Sequence, residues 1–512
     1  MRWRRSIGSV WGGLLAASLA SGSALGQQAA PAPPPSGESQ SVTDLVTRFR
    51  FVEHYEKTEA KTTPGSIGQY RVVTSDTIKV ATEKPQGTPD RNEATQETDY
   101  RERPAELTGG DKIKAGVREY AAYRVIPNPN TKPSRPDPLK GLTIWYQPHE
   151  GTDPLVLSLT KDRSLREDEY TIIRREIYLP DLGALLPTIP SRVGDRWAIS
   201  KTGGRALLGS ITLPLAATLQ QVRQAAEGPN WEAVIAVTGR SPAGRSNTSS
   251  LAVNAQLVFR FPAPGSDGGK EPAAEKAKET LVDARGAIVE LRMATFAATP
   301  LPPNGRLRQT VTRELIVDRR IDDVGEVLPL PDTAPVATEE NSWLSYDDPQ
   351  GKFHFRYPQE FRPGRPPDDL SMELVRLRPG GPDTLEFQRV IKTGDAEADR
   401  LNRDPEFHLK MLKEEWRQNR FTVIPGPHAW LPEADWAAAK RKVYRAESVL
   451  KGTQANGKGE LRVHNDLYFI LFGRDESLVV TSNTVQDPAT PFRDQVEAII
   501  RTFDYGPTPE AQ

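Results

Sequence analysis

The chain contains no cysteine among its 512 residues. Without cysteine there is no disulfide, no thiolate nucleophile and no cysteine-ligated zinc or iron–sulfur site. A bacterial lipoprotein needs a cysteine directly after its signal cleavage site, so lipid anchoring is not expected either. A chain of this length must therefore be stabilised by its apolar core rather than by covalent cross-links.

An excess of charge of one sign is also missing. The chain has 67 Lys and Arg against 68 Asp and Glu, which gives a formal net charge of -1. Such a balance offers no electrostatic basis for binding nucleic acid or an anionic membrane surface, so no nucleic-acid partner is predicted. After residue 26 there is no apolar run of the roughly 18 residues that a spanning helix needs, so no transmembrane anchor is predicted after signal cleavage.

The first residues show the pattern of a secretory signal peptide. Residues 1–5 are basic, residues 7–19 are apolar but short, and 24–26 (ALG) form a small-x-small cleavage site. We therefore predict a signal peptide over 1–26 with cleavage after Gly26, and a periplasmic or secreted protein. The arginine pair in the basic segment leaves open whether export uses the general or the twin-arginine route.

Composition predicts a division into two domains. Strand-like alternation recurs between residues 43 and 321 without an obvious long helix, which indicates a mainly antiparallel β domain: a curved sheet, a sandwich or an open barrel. The remaining segments are an Ala/Pro-rich spacer over 27–42, a Pro-rich acidic linker over 322–340 that should bury little, an α+β domain over 341–505 and a tail over 506–512.

Local patterns in the first domain add specific expectations. The charged stretch 83–111 has few large apolar side chains and predicts a long loop or a solvent-facing edge. Residues 170–173 (YTII) fit a strand, and Gly286 after a polar pair predicts a tight turn between two strands over 283–287. Residues 187–197 predict an extended proline segment that leads into a Gly-Asp-x-Trp turn. That segment resembles an element of uncharacterised exported bacterial β-domains, whose architecture is similar to LolA-like curved sheets.

The last third of the chain carries a second set of patterns. Residues 348–358 read D-x-x-G-x-F-x-F-x-Y-P, residues 405–421 have helical periodicity after an Asp404 N-cap, and residues 496–503 read V-x-x-I-I-x-T-F. This order resembles the PsbP/Mog1-like family. The resemblance implies an antiparallel sheet flanked by helices, and non-enzymatic adaptor or assembly roles.

Two aromatic residues should specify this second domain. The phase of the central helix predicts Trp416 on the side facing the sheet, in line with Leu409 and Leu412. Phe503 should complete the core beside the last apolar residues of the closing helix. Strands are expected at 436–447 and 459–463 among others. The basic run 440–442, like the run 319–320 in the first domain, is interpreted as a solvated strand edge.

No motif for covalent or metal chemistry is found. GxSxG and HExxH are absent, and no two of the six histidines are spaced i, i+4. His149 and Glu150 near Asp153 have the chemistry of metal ligands, but a polar loop is the preferred interpretation. No catalytic residue, cofactor or metal ligand is therefore predicted.

One apolar stretch suggests a binding surface. It could line a groove for a lipid-like ligand on a curved sheet, although a core strand is the simpler interpretation. Its candidate residues are Leu207, Leu208, Ile211, Leu213 and Leu215.

Three hypotheses about function follow. The first is an exported, non-catalytic binding or assembly accessory of the bacterial cell envelope, whose partner is an unknown envelope protein. The second is a carrier of a lipid-like apolar small molecule in the first domain. The third, an unrecognised hydrolase, is disfavoured because the motifs assemble no pair of nucleophile and base.

Overall fold

A computed structural model describes most of the chain after residue 45. The described residues are 46–54, 57–60, 63–84, 86–107, 113–127, 137–149, 153–161, 163–209, 211–226, 228–241, 249–263, 279–301, 307–322, 326–348, 353–364, 371–378, 381–390, 394–436, 441–453, 460–472, 476–485 and 489–505. The predicted signal peptide, spacer and tail lie outside these residues. The contacts divide the chain into two compact units, one up to Ala337 and one from Thr338.

The first unit is built on one open sheet of twelve strands. The strands of this unit are β1 (Val46–Glu53), β2 (Lys57–Ala60), β3 (Thr63–Ile67), β4 (Tyr70–Thr82), β5 (Asp90–Leu107), β6 (Ile113–Pro127), β7 (Thr143–Gln147), β8 (Leu155–Ser158), β9 (Leu165–Arg166), β10 (Arg196–Ala198), β11 (Leu215–Gln224), β12 (Trp231–Arg240), β13 (Ser250–Phe261), β14 (Glu279–Leu301) and β15 (Leu307–Ile321). Their order in the sheet is β10-β11-β12-β13-β14-β15-β4-β5-β6-β7-β8, and β1 pairs in parallel with the start of β14. The prediction of a mainly antiparallel β structure is confirmed.

Short helices accompany this sheet. They are α1 (Glu167–Ile173), a 3-10 helix (Leu179–Leu185) and α2 (Lys201–Leu208). Ser200 begins α2, because its hydroxyl accepts a hydrogen bond from the Gly203 backbone N–H at 3.1 Å. The 3-10 helix lies against both α2 and β14.

The two faces of the sheet differ in burial. One row of directly opposed residues crosses four neighbouring strands and is completely buried: Ile235, Leu257, Leu291 and Val317. We call the face that carries this row the inner face. On the other face of the same strands Gln256 and Arg292 are exposed, whereas Val234 and Val258 are buried. This alternation is the period-2 pattern that the sequence shows.

The stretch 83–111 is not a loop. Residues Asp90–Leu107 form β5, which lies between β4 and β6 inside the sheet, so that expectation is wrong. Charged side chains hid the strand because they lie on its solvated face, where Arg71 forms an ion pair with Asp99. On the inner face the same strand carries Tyr100, which is 2% exposed.

The strand expected at 170–173 is also wrong, because these residues belong to α1. The helix starts with an acidic first turn, Glu167 to Glu169, which suits the positive end of the helix dipole. The Glu169 carboxylate accepts a hydrogen bond from the Arg166 backbone N–H at 2.9 Å. This capping arrangement outweighs the strand preference of Thr171 and the isoleucines that follow it.

No turn interrupts β14 at 283–287, so the predicted tight turn is wrong. Gly286 is needed there for another reason. A Cβ at this position would clash with the backbone oxygen of Arg260 on β13. The glycine therefore permits close approach of two strands beside a register shift at Val258 and Phe259. The Gly-Asp-x-Trp turn is present: Gly194 has φ +93°, and the Trp197 indole donates to the Leu185 carbonyl at 2.9 Å.

Part of the predicted linker is docked on the first unit. Leu328 is 3% exposed, so the expectation that this segment buries little is wrong here. Its backbone N–H donates to the Gln69 side chain at 2.7 Å, and its carbonyl accepts from Arg103 at 2.6 Å. Leu330 packs against a cluster that contains Trp145. Side chains that are distant in sequence thus supply hydrogen-bond partners to the Leu328 backbone, which forms no regular strand or helix.

The second unit contains a seven-stranded antiparallel sheet in the order β18-β19-β20-β24-β23-β22-β21, and β17 pairs with both β16 and β25. Its strands are β16 (Trp343–Asp347), β17 (Phe353–Pro358), β18 (Arg362–Pro363), β19 (Ser371–Arg376), β20 (Asp383–Val390), β21 (Thr422–Trp430), β22 (Lys442–Thr453), β23 (Glu460–Phe472), β24 (Glu476–Thr484) and β25 (Asp504–Tyr505). Its helices are α3 (Glu339–Ser342), α4 (Ala396–Asn402), α5 (Pro405–Gln418), α6 (Glu433–Trp436) and α7 (Thr490–Thr502).

Helix α5 covers one face of this sheet as its periodicity predicts. Asp404 caps it by accepting a hydrogen bond from the Glu406 backbone N–H at 3.0 Å. Leu409, Leu412 and Trp416 are buried in a core cluster with strand residues of the sheet, so the predicted helix phase is confirmed. The reason is the i, i+3, i+7 spacing of the three residues, which aligns them on one helix face.

The basic run 440–442 is not simply a solvated edge. Arg441 is 9% exposed, and its guanidinium donates to the backbone carbonyls of Ile500 and Phe503 at the end of α7. A cation at this place satisfies carbonyls that no helical N–H can reach. The neighbouring strand β22 starts at Lys442 rather than at Trp436, which ends the short helix α6.

Candidate functional site

Two rows of opposed residues on the inner face bring ionised side chains together. Glu102 stands directly between Tyr70 and Arg118 in the ladder of β4, β5 and β6. In the adjoining row Arg319 faces Val72 across β15 and β4. The Glu102 carboxylate accepts from Arg118 Nε at 3.0 Å and from Arg319 Nη2 at 3.3 Å. All three charged side chains are at most 3% exposed.

Aromatic rings surround both guanidinium groups. The Arg118 guanidinium carbon lies 3.6 Å from the ring centre of Tyr146 and about equally far, 4.9 and 5.0 Å, from those of Tyr100 and Tyr178. The Arg319 guanidinium carbon lies 3.7 Å from the ring centre of Tyr70. Ring faces carry partial negative charge, so they partly replace the water that burial removes from each cation.

A fourth charged group, Glu176, comes from outside the sheet. It lies between α1 and the 3-10 helix, and its side chain is 7% exposed. Its Oε2 accepts from Arg118 Nη1 at 3.2 Å and from the Tyr120 hydroxyl at 3.0 Å. We call these two arginines and two glutamates, together with the tyrosines around them, the Arg118 cluster.

The Arg118 cluster is only partly satisfied among the described residues. Arg118 Nη2 and Glu176 Oε1 are buried and have no hydrogen-bond partner. Burial raises the pKa of Glu176 to about 7, against the opposing effects of Arg118 and Tyr120. Burial likewise raises the pKa values of Tyr100 and Tyr120, so both keep their protons at neutral pH. The site therefore offers buried cationic and hydroxyl donors, and one carboxyl group that titrates near neutral pH.

The titration of Glu176 predicts a pH dependence of stability. Its pKa is about 7 in the folded protein and close to 4.5 when exposed, so between these values the folded state binds more protons than the unfolded state. Stability must then fall as pH rises through this window, by about 2–3 kcal/mol between pH 5 and 8. We expect Glu176→Gln to remove this contribution to the pH dependence of stability. At pH 8 the variant should therefore unfold at a higher urea concentration than the parent. Urea titrations of both proteins at each pH test this; parallel pH profiles would show that Glu176 does not titrate in this window.

Sequence reasoning missed the Arg118 cluster. Glu102 lies in the stretch 83–111, for which the sequence predicts a loop or a solvent-facing edge, and Arg118 and Glu176 carry no expectation. The interpretation of 319–320 as a solvated strand edge is wrong for Arg319, which is 2% exposed because it faces the buried Glu102 carboxylate. Glu102 and Arg118 lie opposite each other at inward positions of their strands, where charge is unusual, but residues 83–111 have too few large apolar side chains to show this alternation in the sequence. Local sequence patterns, however, do not show which strands become neighbours.

The five predicted groove residues do not share one environment. Leu207 near the end of α2 is 2% exposed, and Leu208 is half-buried. Ile211 is 50% exposed in the following loop, whereas Leu215, the first residue of β11, is 6% exposed. Leu213 and Leu215 both lie against Gly239 on β12. A groove formed by this set stays a prediction, and part of its stretch is a helix rather than a core strand.

The inner face has an end that is less covered. Its residues there are Ile78, Val80, Ala94, Val125 and Val311, which we call the open end. All are half-buried except Val125, which is 45% exposed. The charged pair of this region, Arg313 and Asp76, is joined at 2.9 Å. Apolar side chains thus continue along the inner face beyond the part that is closed over.

Two further findings concern ligands and membranes. Within the described ranges, no group of three or more His, Cys, Asp or Glu residues is arranged to hold a metal ion. In the same part of the chain, no helix has both the length and the apolar character needed to cross a membrane.

No protein-family model matches the chain, and no curated protein sequence matches it. The solution structure of cyanobacterial PsbP (CyanoP) from Synechocystis is 14% identical with a TM-score of 0.25, and the match covers 35% of this chain and 99% of that chain. A mutant of the protein Mog1 is 12% identical with a TM-score of 0.22, and the match covers 33% of this chain and 97% of that chain. A LolA superfamily protein from Nitrosomonas europaea is 8% identical with a TM-score of 0.12, and the match covers 49% of this chain and 87% of that chain. Identities and TM-scores this low carry no argument about activity or partners.

Proposed function

We propose that this chain is an exported, non-catalytic binding accessory of the bacterial cell envelope, and that its first unit carries a lipid-like apolar ligand. The observation that carries the proposal is the inner face of the large sheet. It carries completely buried positions at one end and half-buried apolar side chains at the open end, and the charges that lie between them, Asp76 and Arg313, are paired with each other. A sheet face of this kind is stable only when something apolar covers it.

The same observation favours a ligand over a protein partner as the occupant. The inner face is closed over at one end, where Glu176 and Tyr178 lie on Arg118, and is accessible at the other. A face closed at one end suits a narrow, flexible molecule better than a flat protein surface. An assembly partner remains the second candidate, and it is favoured by the second unit, for which we propose a PsbP/Mog1-like fold over 341–505.

Binding of an uncharged apolar probe tests the proposal. We expect the purified full chain, stripped of bound lipid, to bind N-phenyl-1-naphthylamine with a rise in fluorescence. Ile78→Asn should weaken binding by roughly tenfold, because it places a polar group against the probe on the inner face. Val73→Asn is the matched control, since Val73 lies on the same strand but on the other face and is 43% exposed.

Two outcomes would contradict the proposal. Absence of probe binding by the lipid-free protein would exclude an apolar ligand site. Equal loss of binding in both variants would show that the effect is not specific to the inner face.

A further inference from the structure

The carboxylate that completes the Arg118 cluster differs in origin from the other charged groups. Arg118, Arg319 and Glu102 stand on neighbouring strands of one sheet and hold each other in place. Glu176 stands on a short segment between α1 and the 3-10 helix, and it reaches the cluster through a single carboxylate oxygen. A displacement of this segment would leave the sheet and its Arg118–Glu102 pair intact while freeing donors of Arg118 and Tyr120.

We propose that Arg118 and Tyr120 form the head-group site for an amphiphile with a carboxylate or phosphate group, and that the Glu176 carboxylate occupies this site when no ligand is bound. The inference rests on the proposed function, because the tail of such a ligand would lie on the inner face. Glu176 is then an internal competitor: the ligand's anionic group takes over its two hydrogen bonds, and the segment that carries it moves aside.

The donors fit an anionic group better than they fit Glu176 alone. Arg118 Nη1 and the Tyr120 hydroxyl already converge on one carboxylate oxygen, at 3.2 and 3.0 Å. Arg118 Nη2 has no partner among the described residues, although guanidinium groups commonly bind carboxylates or phosphates with two parallel hydrogen bonds. A head group that is free to orient itself can use both nitrogens, which Glu176 on its short segment does not.

The distance along the sheet suits a long apolar tail. On β5 the inner face runs from Tyr100, beside Arg118, to Ala94 at the open end. Six residues of extended strand span about 20 Å. The residues between these ends are uncharged, with Thr98 buried and Gln96 half-buried. A tail that extends from the head-group site to the open end would pass Asp76, which lies opposite Gln96 on β4 and is already paired with Arg313 at 2.9 Å, so it would leave no new charge without a partner.

Competition with Glu176 makes ligand binding depend on pH. The titratable and charged groups that face Glu176 come from three strands and from its own segment. They are Arg118, Tyr120 and Tyr123 on β6, Glu102 and Tyr100 on β5, Tyr146 on β7, and Tyr178, which closely follows Glu176 in the chain. Moving Glu176 into water returns its pKa from about 7 towards 4.5, so its release becomes easier as pH rises. Linkage between these two values predicts about tenfold tighter binding of the anionic ligand at pH 8 than at pH 6.

Calorimetric titration of the lipid-free full chain tests the inference. The probes are oleate, dodecyl phosphate, inorganic phosphate and, as an uncharged counterpart, oleyl alcohol. We expect oleate and dodecyl phosphate to bind at least tenfold more tightly than oleyl alcohol at pH 8, and inorganic phosphate to bind far more weakly than either. Tight binding of inorganic phosphate would instead identify a site for free phosphate and overturn the amphiphile assignment.

Variants separate the head-group site from the apolar surface. Tyr120→Phe should weaken the binding of oleate by several-fold and leave the binding of oleyl alcohol unchanged. Glu176→Ala should bind oleate more tightly and lose the tenfold pH effect, whereas the control Glu119→Gln, on the outer face of β6, should behave as the parent. If Glu176→Ala fails to fold, the affinity of Tyr120→Phe for oleate and the pH profile of the parent still test the head-group site.

The outcomes distinguish this inference from the proposed function. Equal affinities for oleate and oleyl alcohol, with a normal response to N-phenyl-1-naphthylamine, would overturn the head-group site and leave the apolar surface in place. Loss of binding for every apolar probe would overturn both.

Discussion

Replacement of Glu102 by alanine should lower the free energy of unfolding by about 3–5 kcal/mol. This carboxylate is the shared partner of Arg118 and Arg319, and all three side chains are at most 3% exposed. Removing it leaves two guanidinium groups near each other in a buried environment, and of the two glutamates of the Arg118 cluster only Glu176, on Arg118, stays to offset their charge. Urea unfolding at pH 7, followed by circular dichroism, measures the change.

An ion pair on the same two strands provides the control. Arg101 and Glu119 pair across β5 and β6 on the outer face, with side chains 28% and 33% exposed. Because water solvates this pair, Glu119→Gln should cost less than about 1 kcal/mol. Similar costs for both variants would mean that the Arg118 cluster is hydrated in solution.

Replacement of Phe503 by alanine should destabilise the second unit by about 3–5 kcal/mol. Phe503 is completely buried, and its ring centre lies 5.4 Å from that of Phe353 and 5.6 Å from that of Phe472. It also stacks against Phe355 and Phe387, so one side chain joins β17, β20 and β23 at the end of α7. Truncation would leave a cavity that three different elements line and that none of them can fill alone.

Hydrogen exchange of the full chain, read by mass spectrometry on peptides from β17, β20 and β23, resolves this effect from changes in the first unit. Leu377→Ala is the control, because Leu377 is 74% exposed and its truncation should cost less than about 0.5 kcal/mol. Unchanged protection in Phe503→Ala would show that the aromatic cluster does not hold these strands together.

The sequence alone was sufficient for elements whose cause is local. Alternation along 231–237 and 251–261 predicts two strands, and the structure has both, although Val234 on the other face of β12 is buried as well. Asp404 before Pro405 predicts the start of α5, and the spacing of Leu409, Leu412 and Trp416 predicts its buried face. Each of these signals is contained in a few adjacent residues, so no knowledge of the fold is needed to interpret it.

In two places where local signals disagreed with the structure, a contact with a distant residue was responsible. The sequence around Gly286 predicts a turn, because glycine permits turns, but the close approach of the Arg260 backbone is what requires glycine there. The acidic linker looked like an unpaired segment, but Gln69 and Arg103 supply partners to Leu328. Neither partner is near in sequence, and a window of neighbouring residues cannot contain it.

The candidate site depends on tertiary structure almost entirely. Alternation determines that Glu102 and Arg118 point to one side of their strands, but only strand order and register place Arg319 beside them. The pKa of Glu176 is raised by burial, which exists only once its segment lies on the sheet. Period and composition thus determined the class of fold of this protein, whereas the charge chemistry of its site was decided by which strands are neighbours, because electrostatic interactions depend on distance and burial in space.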